Sequence, residues 1–255
     1  MGRIRSFRGN RGTLRVRGNI GGTGYFYGYP AHGSLEPNVA AQWLFDEASG
    51  DIVDEVSGIT LADSGSPTYN NAHTGLFAGL SPGIAMVNAN PPTGYFSKAG
   101  ADSNLDIGTG DFTVEAWVTN TVAFNGQRII DCRSAATDIG WELRYQGGAD
   151  QIVFYILTAT TERAIAMSVT SAMKDGNEHK IRVKGTRAGN LEMFYDGASL
   201  GTATLGTLVG QSVVCNNIFV ASQHSQAPFS GWSGQLLELR VSMNATNNSG
   251  GPGGG

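Results

Sequence analysis

Two cysteines in 255 residues, Cys132 and Cys215, are too few for a disulfide framework, and neither has metal-ligand spacing. A pair of buried free thiols is favoured over a single bridge. Four histidines, His32, His73, His179 and His224, are scattered, so no clustered imidazole set is poised to hold a metal. No stretch approaches the ~20 apolar residues that span a bilayer. Arginine recurs every few positions near the start and breaks up any apolar run of a secretory signal, so the protein is expected to stay where it is made. Catalytic motifs are missing as well. There is no E-x-D-x-x-E or E-x-D-x-E strand, no Gly-x-Ser-x-Gly elbow and no phosphate loop, and these absences argue against an enzyme.

Charge is scarce, at 15% of residues, and unevenly placed. Six of the seventeen cations, Arg3, Arg5, Arg8, Arg11, Arg15 and Arg17, fall in the first seventeen positions, and no carboxylate precedes Glu36. The remaining eleven cations face twenty-one carboxylates, so a basic arm precedes an acidic body. Such asymmetry calls for a partner. Arg-Gly pairs followed by Tyr25, Phe26, Tyr27 and Tyr29 resemble the cation and stacking elements of single-strand nucleic-acid binders, but an acidic body repels a phosphate backbone. A solvated tail is a second reading. Docking in a protein assembly is the third and the favoured one, since arginine is a preferred interface residue. Within the arm, Leu14 to Arg17 alternates apolar and cationic side chains and could add as a strand to another chain's sheet.

What the chain does contain is glycine, thirty-seven of them, punctuating short runs rich in β-branched and aromatic residues. In Asp111 to Val118, Phe112, Val114, Ala116 and Val118 share one face while Thr113, Glu115 and Trp117 share the other. His179 to Lys184 sends Ile181 and Val183 inward and its cations outward. Leu191 to Ala203 reads as a hairpin because Asp196-Gly197 supplies the positive φ of a tight turn. Gln151 to Leu157 is continuously apolar, as a strand covered on both sides requires. More than ten such strands imply two packed sheets. The division expected is a basic arm (1–37), a β domain (38–243) and a Gly-rich tail (244–255), which has almost nothing to bury.

Four motifs in order carry a resemblance. AQWLFDEASGDIVDEVSG (Ala41 to Gly58) is similar to the opening strand and acidic loop of the laminin-G-like branch of the concanavalin A-like lectin and glucanase family. DFTVEAWV is similar to that family's middle strand, DGNEHKIRV with LEMFYDG to the next pair, and FSGWSGQLLELRV (Phe229 to Val241) to its closing strand. The resemblance implies an all-β, two-sheet antiparallel jelly-roll sandwich over residues 38–243, with both extensions unmatched. It also implies comparison with a structural calcium site, for which many relatives place an Asp before the Glu of the closing strand. Here Leu237 precedes Glu238, and the loss of one hard oxygen ligand puts the site in doubt, although Asp46 and nearby carbonyls could contribute. No cofactor is expected.

By the same resemblance, Trp141, Tyr145, Phe229 and Trp232 are candidates for stacking on a glycan, with core or rim packing as the commoner role of such side chains. Asp175, Glu178 and His179 lie close in sequence but fit a loop entering a strand better than an acid–base site. Jelly rolls of this type recur on phage particles. The expectation is therefore a non-enzymatic virion structural protein, such as a bacteriophage capsid decoration, head-fibre or tail-associated protein. It would dock on a capsid or other virion protein through the arm as an oligomer or assembly subunit. The alternative is a lectin or carbohydrate-binding module for cell-surface glycans.

Overall fold

Alternation of apolar and polar side chains decides this fold. In β7 (Phe112–Thr119), Phe112, Val114, Ala116 and Val118 are buried on one face, as the sequence predicts. Their neighbours Thr113, Glu115 and Trp117 take the opposite face. The computed structural model describes residues 38–47, 49–70, 83–86, 94–122, 124–135, 139–169, 171–186, 189–224 and 231–243. All of them belong to the unit Leu35–Gly255. The arginine arm, the Gly-rich tail and Phe229 lie outside the described residues.

Two eight-stranded sheets result. The first runs β14 (Ala198–Thr204), β13 (Asn190–Tyr195), β12 (Glu178–Thr186), β7, β16 (Gly234–Met243), β5 (Gly83–Met86) and β4 (Thr68–Asn70), with β1 (Val39–Trp43) also paired to β16. The second runs β11 (Glu162–Ser168), β10 (Gln151–Leu157), β9 (Gly140–Gln146), β8 (Gln127–Asp131), β15 (Ile218–Val220), β6 (Gly94–Lys98), β3 (Thr60–Gly65) and β2 (Ile52–Val53). Among the described residues the ladders are antiparallel, and helix is limited to short 3-10 turns. Strands distant in sequence lie side by side, β7 between β12 and β16 and β8 between β9 and β15. These crossovers between the sheets make a jelly roll rather than a meander.

The inner faces meet in one apolar core. Phe112 of the first sheet stacks on Phe154 of the second, with ring centroids 5.4 Å apart, and Phe154 stacks in turn on Trp141 at 5.9 Å. Each such ring contributes about 1.5–3 kcal/mol by leaving water. Gly185 pairs with Phe112 in the ladder, and a Cβ there would sit 2.1 Å from the Phe112 ring. The aromatic column therefore needs glycine at this point. At the β13–β14 turn, Asp196 (φ 49°) and Gly197 (φ 82°) form the two-residue hairpin that the Asp-Gly pair predicts. Cys132 and Cys215 are free and buried, in line with the favoured reading.

Candidate functional site

Of the four tryptophans, Trp43, Trp141 and Trp232 are fully buried in the core, and Trp117 alone points to the outer side of a sheet. The register places Trp117 between Lys180 and Glu238, and Glu115 between Arg182 and Arg240. Lys180 Nζ lies 4.3 Å from the Trp117 ring centroid and 2.7 Å from Glu115 Oε1. Arg240 covers the same ring at 5.4 Å and donates from Nη2 to Glu238 Oε1 at 2.7 Å. Gln42 donates to that same Glu238 oxygen at 2.7 Å. One strand further out, the Arg182 guanidinium stacks on Phe194 at 4.0 Å. The outer face of the first sheet is thus a lattice of aromatic rings and paired charges.

The second sheet carries a tighter cluster. Asp131 of β8 and Glu142 of β9 are register partners, and both are fully buried. Arg133 bridges them, donating from Nε to Asp131 at 2.9 Å and from Nη2 to Glu142, while its guanidinium lies 4.7 Å from the Tyr155 ring. Arg144 and Arg128 bind Glu142 at 2.7 and 3.4 Å. His224 Nδ1 lies 2.7 Å from Asp131 Oδ2. Burial pushes the Asp131 carboxyl up, but the hydrogen bonds from His224 and Arg133 outweigh it and hold the group below its ordinary range. Two adjacent carboxylates could suggest glycoside hydrolysis, which needs one acid kept protonated and open to the leaving group. This pair is the reverse, with Asp131 held ionised, both side chains buried and arginine between them.

His179 is likewise committed. Its Nδ1 lies 2.8 Å from Asp196 and its Nε2 3.0 Å from Asp175, with Tyr195 stacked at 4.9 Å. Burial works to lower its pKa, yet the two carboxylates raise it overall. With both ring nitrogens engaged, the imidazole clamps the loop before β12 to the β13–β14 turn. It does not form an acid–base pair with Glu178.

Of the four residues expected to stack on a glycan, Phe229 lies outside the described residues and the other three are held in the core. Trp141 donates its indole N–H to the Leu105 carbonyl at 3.1 Å, Trp232 donates to the Thr119 carbonyl at 3.0 Å, and the Tyr145 hydroxyl donates to Asp150. All three are fully buried, so none has a ring face to offer a sugar. They pack, as the commoner role weighed for them requires. The residues that sequence reading passed over are Trp117, Asp131, Arg133 and Glu142. Alternation in β7 already put Trp117 on the polar face. The Asp131–Glu142 pairing depends on a register shift between Arg128 and Ile130 of β8 that the sequence does not announce.

Among the described residues, Glu238 and Asp54 are committed to partners other than a calcium ion. Glu238 is bound by Arg240 and Gln42. In the acidic loop, Asp54 accepts from the backbone N–H groups of Gln42, Val56, Ser57 and Ile59. Among the described residues no group of three or more His, Cys, Asp or Glu side chains is placed to hold a metal. No helix among them is long and apolar enough to cross a membrane.

Two crossover-linked antiparallel sheets enclosing one core, with ringed and ion-paired outer faces, define a lectin-type jelly roll. The chain belongs to the concanavalin A-like lectin/glucanases superfamily, which matches residues 93–249. Among solved structures it is similar to the binding domain of botulinum neurotoxin DC in complex with rat synaptotagmin II, with a TM-score of 0.59 and 10% identity over 82% of this chain and 49% of that one. The botulinum neurotoxin serotype G binding domain gives a TM-score of 0.58 at 14% identity, over 83% and 50% of the two chains. The binding domain of Paraclostridial Mosquitocidal Protein 1 gives 0.54 at 12%, over 80% and 47%. The chain thus spans about half the length of these structures, and the likeness is one of fold. No curated protein matches the sequence.

Proposed function

We propose that this chain is a non-enzymatic, lectin-like display module of a virus particle, of the bacteriophage decoration, head-fibre or tail-associated kind. In this reading Arg3, Arg5, Arg8, Arg11, Arg15 and Arg17 dock on a capsid or other virion protein and the jelly roll faces outward. The observation that carries the non-catalytic half is the burial of Asp131 and Glu142 with Arg133 between them, which removes the best-placed carboxylate pair from acid–base work. The docking half is supported by the charge division between arm and body.

Deleting residues 1–37 tests it. The truncated chain is expected to fold as a monomer and to fail to join its assembly, whereas unimpaired incorporation would overturn the reading. A salt series read by light scattering and the 260 nm absorbance ratio separates protein docking, a mass change alone, from nucleic-acid capture.

One observation favours a second reading, carbohydrate binding. Trp117 lies on an outer face under mobile-stemmed Lys180, where a sugar ring displacing the lysine could stack. The expected result is a glycan-array signal lost in Trp117→Ala, assayed at a temperature where circular dichroism shows the variant still folded, because truncating this buried ring also lowers the melting temperature. A wild-type protein that binds no glycan removes this reading.

A further inference from the structure

The two cysteines lie 83 positions apart in sequence but at one place in the second sheet. Cys132 directly follows β8 and Cys215 shortly precedes β15, and these strands pair through Asp131 with Phe219 and Ile130 with Val220. The Asn216 N–H donates to the Cys132 carbonyl at 3.1 Å, which fixes the two backbones side by side. Each cysteine is further pinned. The Cys132 N–H donates to the Trp141 carbonyl at 2.8 Å, the Cys215 N–H donates to Asp106 Oδ1 at 2.6 Å, and the Cys215 carbonyl accepts from Asp102 at 3.1 Å. Both side chains are fully buried, and Cys215 Sγ lies 3.5 Å from the Asn217 carbonyl oxygen. Gly140 packs closely on the Cys132 backbone, since a Cβ there would come within 2.5 Å of the Cys132 carbonyl oxygen.

We propose that Cys132 and Cys215 form a latent disulfide: a dithiol in reducing surroundings that closes to an intrachain bridge when the protein meets a disulfide oxidant such as oxidised glutathione. The inference goes beyond the display reading and stands without it. One thiol loses its proton and attacks a sulfur of oxidised glutathione, releasing one glutathione thiolate and leaving a mixed disulfide. The second cysteine, deprotonated in turn, attacks the protein sulfur of that mixed disulfide and releases the second glutathione. The two thiol protons end on the two glutathiones, and the two electrons lost by the cysteines reduce the oxidant. Burial, and after it the neighbouring thiol, raises the Cys132 pKa, and both cysteines are shut off from solvent, so closure waits on transient opening ahead of β15. The bridge would tie the end of β8 to the entry of β15 and close the long loop between them, whose entropy the unfolded chain would lose.

The test uses the full chain, unfolded in denaturant and refolded in a buffer of oxidised and reduced glutathione, beside a sample refolded in excess reductant. The expected product is a monomer lighter by about 2 Da, with no thiol reactive to Ellman's reagent in denaturant and a melting temperature raised by about 5–15 °C. Its near-ultraviolet circular dichroism should match that of the reduced protein. Cys132→Ser and Cys215→Ser should each fold, lack the bridge and show no oxidant-dependent rise in melting temperature. Retention of two free thiols, glutathione adducts, disulfide-linked dimers, or a bridged species with altered near-ultraviolet signal would each overturn the proposal.

Discussion

Replacing Arg133 by methionine removes the central cation of the Asp131–Glu142 cluster while keeping a long apolar stem over Tyr155. Stripping one partner from a buried ion pair costs about 3–5 kcal/mol, most of it the penalty of leaving a buried charge unmatched. Glu142 keeps Arg144 at 2.7 Å and Arg128 at 3.4 Å, so the deficit falls on Asp131, for which His224 at 2.7 Å remains. That places the loss at about 3 kcal/mol, the lower end of the range. For a body of this size it corresponds to a melting temperature lower by about 6–12 °C. The pH dependence identifies the cause. Asp131 is held below its ordinary pKa, so its contribution is present above the unfolded-chain value near 3.8 and is lost as pH falls through the folded value. The difference between wild type and Arg133→Met, followed by urea unfolding, should therefore be full at pH 7 and shrink steadily below about pH 4. Adding Asp131→Asn should recover much of the loss, because removing both charges leaves nothing unmatched. A deficit under about 1 kcal/mol, or one constant from pH 7 to pH 3, would refute this account.

His179 should act in the opposite direction on the pH scale. Its folded pKa is raised, so its clamp on Asp175 and Asp196 stabilises fully below the unfolded value near 6.5 and is lost as pH rises through the folded value; His179→Gln should abolish that part of the slope in melting temperature between pH 5 and 9. Gly185→Ala should destabilise by about 1–3 kcal/mol in urea unfolding. Its methyl would meet a Phe112 ring that Phe154 holds from the other side, and an unchanged midpoint would show that the aromatic column can shift.

The fold was legible because the strands announce themselves one at a time. Phe112 to Val118 alternates cleanly, and Asp196-Gly197 dictates its own hairpin. The continuous apolar run of β10 also behaved as expected, with Val153 and Tyr155 buried on the face away from the core. The candidate site was less legible, because it depends on which strands become neighbours. Tryptophan is a natural choice for a sugar platform, but Trp141 and Trp232 are positions that alternation within β9 and the approach to β16 turn inward. Glu115, Arg240 and Gln42 come from three strands far apart in sequence, and the ladder brings them into one row. No local window contains that row.

The lattice on the outer face of the first sheet bears on how the sheet finds its pairing. A slip of one residue between neighbouring strands turns the apolar side chains out, and the core forbids it. A slip of two leaves every apolar side chain facing inward, so the alternation of apolar and polar residues does not by itself exclude it. The outer face can. Moving β16 by two along β7 in one direction sets Glu238 against Glu115 and strands Arg240 beside Thr113; in the other direction it leaves Glu115 facing Ser242 and Glu238 facing Thr119. The charges outside the sandwich thus check the alignment that hydrophobic alternation alone leaves ambiguous.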